Sequence, residues 1–448
     1  MNVILRGVRV IDPLGGMDAA ATDVWLCDGR IAAVDGHITA PGVSVIDLTP
    51  PAGRSARVLC PGFIDLHAHL REPGEESKET VDSGANAAAS GGFTQVVAMA
   101  NTNPPIDTAA AVGEARARGA GRRAAVHAAA AVTVGLRGER LVDIRGCAAA
   151  GAAAFSDDGR NALSERLLTD ALRIADRVDR AVLVHPEDEG MVAAANPGVK
   201  SVVRCPVRPA ACEATAVRSA LRALEMAGAG RLHLQHLSAA ASVDLLRGAR
   251  EHGLKVTAEV TPHHLSMWLP FETEPDPVGL RKVNPPLRSD RDREAVVQAL
   301  REGLIDAVAT DHAPHTVADK SGDYVDAAPG MVGLETALAV CLTLGGMGGG
   351  WLPVLVERLT AGPWRVLGPS VGLREPRLRA GEVADCVLFD PDEEWEVGAE
   401  PMRSQSRNTP LIGTRLRGRV LLTLMEGRVS FVNQSTLYAG SSLEVVRA

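Results

Sequence analysis

The chain has 448 residues, 46% hydrophobic and 23% charged, with a formal net charge of -8. That length accommodates two or three domains or one large barrel with an appendage, and the composition permits a large core and excludes general disorder. The acidic balance argues against nucleic acid or an anionic membrane as partner, and no apolar run is long and uninterrupted enough to span a bilayer.

The opening Met1–Gly7 reads as a strand, too short an apolar stretch for a signal peptide. The seven cysteines are scattered and contain no Cys-x-x-Cys pair, so reduced thiols and a cytoplasmic location are expected. Residues 1–58 read as short strands (Val3–Leu5, Val8–Ile11, Val24–Leu26, Ile31–Val34, Val43–Ile46) separated by Asp/Pro/Gly turns, the N-terminal part of a small β domain.

From 59 to 360 strand-like runs alternate with Ala/Leu/Arg-rich helical runs. Eight strands are predicted: Gly62–Leu66, Thr94–Ala98, Ala124–Ala129, Ala152–Phe155, Ala181–Val184, Arg231–Leu234, Lys255–Val260 and Asp306–Ala309. Helices are predicted over Thr80–Ser90, Asp107–Arg118, Ser164–Ala175, Glu213–Ala227, Ala239–Glu251 and Arg291–Glu302. This is the pattern of an α/β (β/α)8 TIM-like barrel. A doubly wound sheet places its ligand at one switch point, whereas here polar residues follow almost every strand. The run of glycines between Gly345 and Gly350 lacks the strand and lysine of a phosphate cradle. Residues 361–433 turn strand-like again (Ala384–Asp390, Thr414–Arg417, Val420–Met425, Arg428–Val432). They are expected to complete the small β domain begun at the N-terminus, with 434–448 as a tail.

Active sites of such barrels lie at the C-terminal strand ends. Strand 1 ends in His67, His69 and Arg71, strand 2 in Asn101-Thr102-Asn103-Pro104, strand 4 in Asp157-Asp158 and strand 5 in His185. Strand 6 ends in Gln235-His236, strand 7 in His263-His264 and strand 8 in Asp311-His312-Ala313-Pro314-His315. On a strand, residues i and i+2 share a side, so His67 and His69 aim at one point. A lone histidine after an apolar strand is more often a hydrogen-bonded core residue. Four of them at successive strand ends (His67, His69, His185, His236), with carboxylates, suit one or two divalent metals of the zinc type. Asp157 or Asp158 could bridge two metals, and alternation does not choose between them. His263 and His264 read as supporting groups, and His37, His127, His233 and His252 as structural.

A metal-bound water acidifies toward neutrality and becomes a nucleophile, and a carboxylate beside it can move its proton. Asp311 is placed for that role, which predicts hydrolysis of an amide, ester or phosphate. Arg71, Asn101, Asn284 and His315 are candidate substrate binders, and a cationic fork with amide donors suits a small carboxylated, amide-bearing molecule.

At this point the residues resemble the amidohydrolase superfamily, and closely the bacterial type I dihydroorotases. The motifs span nearly the whole chain: Pro61–Gly74 (PGFIDLHAHLREPG), Asn101–Pro104 (NTNP), Phe155–Gly159 (FSDDG), Val260–His264 (VTPHH), Lys282–Arg288 (KVNPPLR), Ala309–His315 (ATDHAPH) and Gly330–Thr336 (GMVGLET). The resemblance implies reversible cyclisation of N-carbamoyl-L-aspartate to L-dihydroorotate in pyrimidine synthesis. It implies zinc, one or two ions, on His67, His69, Asp158, His185, His236 and Asp311, with Asp311 as general acid/base. It also implies substrate contacts from His69, Arg71, Asn101, Asn284 and His315 and from the backbone at Pro329 and Gly330. An Asp at 158, where many related cyclic amidohydrolases carry a carboxylated lysine, favours this group over hydantoinase or allantoinase. Ala100 and Pro329 depart from the family pattern, which has Pro and Phe there. Some related chains have lost their ligands and only support an aspartate transcarbamoylase; here every expected ligand is present. A homodimer, and association with that transcarbamoylase, are compatible with activity.

Overall fold

The computed structural model describes residues 1–160, 163–197, 199, 205, 207–269, 279–321, 324–344 and 350–433. The predicted tail at 434–448 and residues 345–349 of the glycine run lie outside the described residues.

The chain opens with β1 (Asn2–Asp12), β2 (Met17–Cys27), β3 (Arg30–Asp35), β4 (Ser44–Asp47) and β5 (Val58–Pro61). The two strands predicted at Val3–Leu5 and Val8–Ile11 are one. Gly7 adopts φ 74° at a register shift, and its missing side chain leaves room for Thr49, so the strand bends without ending. Gly62 then carries the chain into the second sheet. A Cβ there would lie 2.2 Å from Thr94 Cγ2, so the crossing requires glycine.

The second sheet is β6 (Phe63–Ala68), β7 (Phe93–Ala98), β8 (Ala125–Ala130), β9 (Ala154–Ser156), β10 (Ala181–Val184), β11 (Arg231–Leu234), β12 (Val256–Val260) and β13 (Ala307–Val308). These eight strands pair in sequence order, all parallel. A bridge between Ala68 and His312 links first and last, so the sheet curls into a barrel. Helices α1 (Val81–Ser90), α2 (Ala109–Gly119), α3 (Ile144–Ala149), α4 (Glu165–Asp176), α5 (Glu189–Ala195), α6 (Ala210–Ala227), α7 (Ala240–Glu251), α8 (Pro262–Ser266) and α9 (Asp290–Arg301) lie between the strands. Thr80, Ser164 and Ser289 cap α1, α4 and α9 by accepting the amide hydrogen bonds of Ser83, Leu167 and Asp292. The helices bury Leu168, Leu172, Val217, Leu224 and Leu246 against Val182, Val184, Leu232 and Leu234 of the strands. Each such side chain contributes about 1.5–3 kcal/mol of hydrophobic stabilisation.

After β13 come α10 (Val317–Lys320), α11 (Ala337–Leu344), α12 (Trp351–Leu359) and α13 (Ala361–Leu367). The sequence from 361 reads as strand-like, but α13 is helical: Val366 and Leu367 bury with Val371 and Leu373 against Ile64, Leu66, Val97 and Leu183 of the barrel. Tertiary burial outweighs the weak local pattern. The chain ends in β14 (Cys386–Glu396), β15 (Arg415–Met425) and β16 (Arg428–Val432). The runs predicted at Thr414–Arg417 and Val420–Met425 merge into β15, with Gly418 at φ 102° between them. β14 pairs with β5, giving the first sheet the order β16-β15-β14-β5-β1-β2-β3 with β4 beside β1. Both chain ends therefore share one core, with Val8, Leu26 and Ile31 packed among Leu388, Leu421 and Leu424.

Candidate metal centre and substrate pocket

Six buried side chains from five strand ends meet at the mouth of the barrel. Asp158 stands among the four histidines. Its Oδ1 lies 3.3 Å from His67 Nε2, 3.5 Å from His185 Nδ1 and 3.6 Å from His236 Nε2, and its Oδ2 lies 3.4 Å from His69 Nε2. Asp311 Oδ1 lies 3.1 Å from His69 Nε2 and 3.6 Å from His67 Nε2. His185 Nδ1 is 2.8 Å from His236 Nε2. The choice left open between the two aspartates is decided by geometry. Asp157 turns away and accepts from the Val132 amide (2.7 Å), the Thr133 amide (3.0 Å) and the Thr133 hydroxyl (2.5 Å), tying the end of β9 to the chain after β8.

Two triads have metal-ligand geometry: His67, Asp158 and His236, and His67, His69 and Asp311, each with donor atoms within 4.8 Å of one another. His67 Nε2 and Asp158 Oδ1 are buried without hydrogen-bond partners, which is costly unless something else satisfies them. The donor separations of 3.1–3.6 Å also match the edge of a tetrahedron with about 2.0–2.1 Å metal bonds, roughly 3.4 Å. The donor set thus fits a divalent metal ion.

Electrostatics agree. Burial pulls the His67 imidazole down, but Asp158 and Asp311 outweigh it and hold it well above its ordinary value. Burial pushes Asp158 and Asp311 up, yet the surrounding histidines hold both well below the carboxylate range. A divalent cation facing these carboxylates would take the place of the proton they hold on His67, since imidazole ligates a metal in its neutral form.

The backbone is bent to aim these groups. His236, Asp311 and Arg71 have φ of 33°, 46° and 62°, conformations costing about 1–3 kcal/mol each that surrounding packing must impose. Outer partners fix the rings. His67 Nδ1 faces Glu259 Oε1 at 2.8 Å, and the other oxygen of Glu259 is 3.0 Å from His233 Nε2. His69 Nδ1 donates to Asn101 Oδ1 at 2.9 Å. Asn284 Nδ2 lies 3.3 Å from His185 Nε2. His264 is held between Thr261 and the Pro285 carbonyl, and His312 beside Glu79, so both support backbone rather than face the cluster.

A cavity of about 740 Å³ opens over the cluster. Arg71, Asn101, Asn284, His315, Pro329 and Gly330 line it together with His69. Arg71 Nε donates to the Pro314 carbonyl (3.1 Å), which turns its outer nitrogens toward His315, with Nη2 3.3 Å from His315 Nε2. His315 Nε2 donates to the Pro329 carbonyl at 2.9 Å. Burial and the charges of Arg71, Lys78 and Lys320 press the His315 imidazole down to about 2.

A family model described as Dihydro-orotase-like matches residues 56–242. Relatives named Dihydroorotase include one from Anaeromyxobacter dehalogenans, 41% identical over 95% of this chain and 97% of its own, and one from Pelotomaculum thermopropionicum, 39% identical over 96% and 98%. The chain belongs to the dihydroorotase family. Among solved structures, an L-hydantoinase from Arthrobacter aurescens superposes with a TM-score of 0.78 at 25% identity, covering 96% of this chain and 95% of that one.

The two residues that depart from the family pattern, Ala100 and Pro329, both make main-chain contacts. Ala100 is fully buried, and its carbonyl accepts the Thr102 and Ile106 amides, keeping Asn101 in place. Pro329 presents its carbonyl to His315, which needs no particular side chain. Sequence reasoning missed Glu259, Lys320 and Asn408. Glu259 had a signal, a lone carboxylate inside the apolar strand β12; the other two had none.

Proposed function

We propose that this member of the dihydroorotase family catalyses the reversible, zinc-dependent interconversion of N-carbamoyl-L-aspartate and L-dihydroorotate. The observation that carries the reading is a six-residue cluster of histidines and aspartates lying beneath a cradle of Arg71, Asn101 and His315. His67, His69, Asp158, His185, His236 and Asp311 would hold one or two zinc ions. Bound there, zinc would lower the pKa of a water toward neutrality and polarise the scissile carbonyl.

The rest belongs to the protein. The Arg71 fork lines the cavity and can take one carboxylate of the substrate, beside His315, whose Nε2–H goes to the Pro329 carbonyl. Asn101 and Asn284 offer amide groups for the carbamoyl or ring-amide edge. Asp311, kept ionised by the histidines around it, takes the proton of the attacking water. It returns that proton to the amide nitrogen as the ring opens; in the reverse direction it takes a proton from the carbamoyl nitrogen as the ring closes. His69 and Asn101 hold each other, which couples substrate orientation to the cluster.

The test is dihydroorotate hydrolysis and metal content on one purified sample, against a panel containing hydantoin and allantoin. Preferential turnover of dihydroorotate with bound zinc is the expected result. Preference for hydantoin would transfer the assignment to that class, and absence of metal would sink it. We place the enzyme in the cytoplasm, in keeping with its free cysteines; no helix among the described residues is long and apolar enough to cross a membrane. A homodimer and a complex with aspartate transcarbamoylase rest on resemblance to the family, and sedimentation with and without that enzyme would detect them.

A further inference from the structure

We infer that Lys320 and Asn408 are positioning residues that hold the segment Ala328–Gly330 in its substrate-binding shape. The inference rests on the proposed reaction and adds two residues to it, neither of which lines the cavity.

Lys320 ends α10 and is 7% exposed. Its Nζ donates to three main-chain carbonyls: Ala328 (2.7 Å), Gly330 (2.9 Å) and Lys282 (3.2 Å). A buried ammonium is tolerable when each of its three protons finds an acceptor, and here three acceptors are supplied. They come from two separate segments. One carries Asn284, two residues beyond Lys282, and the other carries Pro329 and Gly330. The Gly330 amide donates to the same Lys282 carbonyl at 2.8 Å, so the two segments are stitched at one point.

Asn408 reaches the same point from outside the barrel, on the connection between β14 and β15. It is buried. Its Nδ2 donates to the carbonyls of Ala313 (3.0 Å) and Gly330 (3.1 Å), and its Oδ1 accepts from the His315 amide (2.9 Å). The Gly330 carbonyl thus takes one donor from each residue. Gly330 cannot be replaced by a larger residue: its φ is 133°, and a Cβ would lie 2.6 Å from Ala313 Cβ and 3.1 Å from His315 Nε2. What this arrangement provides is a fixed distance between the Pro329–Gly330 backbone, His315 and Asn284, three of the proposed substrate contacts.

The ammonium also has a limit. Burial and the Lys282 charge pull Lys320 down to about 7. Among the described residues, the charged and titratable groups around it are Lys282 on the 279–285 segment, His315 on the loop after β13, and Asp319 beside it on α10. A neutral amine has two protons, so above neutrality one carbonyl loses its donor and the clamp loosens.

The experiment uses the full-length, zinc-loaded protein, with Lys320→Met and Asn408→Ala. KM and kcat for dihydroorotate are measured between pH 6 and 9, with metal content and amide hydrogen exchange of residues 327–332. The expected result is a KM raised about tenfold in either variant, kcat within about threefold of wild type and metal unchanged, the pattern of lost uniform binding. Wild-type KM should climb above pH 7, and Lys320→Met should lack that climb. A merely structural lysine would not link KM to pH in this way. Wild-type KM in both variants, or a matched loss of kcat and metal, overturns the inference. If Lys320→Met does not fold, the wild-type pH profile and Asn408→Ala decide. If wild type has no turnover, the proposed function fails separately. Exchange then decides: faster exchange confined to 327–332 in the variants supports the clamp, and unchanged exchange removes it.

Discussion

Glu259 lies behind His67. Its Oε1 is 2.8 Å from His67 Nδ1 although 192 positions of sequence separate them, and neither side chain is exposed. The imidazole that turns Nε2 to the cluster is therefore oriented by a carboxylate on β12, two strands round the barrel from β6. Burial pushes Glu259 up, but His233 and His67 bring it down to about 2, so it remains ionised. Such outer partners orient metal-bound imidazoles and raise their basicity.

Glu259→Gln keeps the shape and removes the charge. Metal affinity or activity should fall about 10–100-fold. Zinc retention across a chelator series, with kcat/KM at saturating zinc, measures it. Unchanged retention would mean that His67 is oriented by packing alone.

The neighbouring aspartates should separate cleanly. Asp157→Ala strands three buried donors, Val132 N, Thr133 N and the Thr133 hydroxyl, and should cost about 2–4 kcal/mol of stability while zinc stoichiometry survives. Asp158→Ala should lose metal instead. Denaturant midpoints and metal analysis on both variants give the comparison, and a reversed pattern would overturn the proposed roles.

Asp311→Asn preserves size and removes the base. Turnover should drop by about 10²–10⁴-fold with the far-ultraviolet spectrum unchanged. Activity within tenfold of wild type would assign the proton to another group.

Acid stability should depend on His127 in β8. Burial, then the charges of Arg374 and Arg116, lower its imidazole to about 4. Between the ordinary value of about 6.5 and about 4, the unfolded chain takes up a proton that the folded chain refuses. Its contribution is therefore intact above about pH 6.5 and is lost as pH falls toward 4. His127→Gln should lose less stability than wild type between pH 7 and 4.5, read from urea midpoints. Parallel losses would show that His127 is already charged in the fold.

Much of the fold was legible because strand–helix alternation is local. All eight predicted barrel strands overlap β6 to β13, and the two at Ala181–Val184 and Arg231–Leu234 match to the residue. The helices read from Thr80 and Ser164 begin at those residues, whose side chains accept the amides of Ser83 and Leu167, whereas the helix read from Arg291 is capped two residues earlier, at Ser289. α13 was not legible, since Val366 and Leu367 gain their helical surroundings only when the barrel interior exists to bury them. β1 runs on through Arg6 and Gly7, between the two strands predicted there, because Gly7 at φ 74° carries the register shift within a continuous ladder.

The site divides along the same line. The sequence by itself determined which side chains stand at the strand ends, because a residue's place after a strand depends on its immediate neighbours. It therefore named His67, His69, His185, His236 and Asp311, and the pair Asp157-Asp158. Alternation left Asp157 and Asp158 open and the family resemblance named Asp158; only the tertiary structure shows what holds Asp157 away, that Glu259 backs His67, and that Lys320 and Asn408 meet on the Gly330 carbonyl. Those relationships join segments far apart in the chain, and they form when barrel closure buries polar groups that must then find partners across the interior.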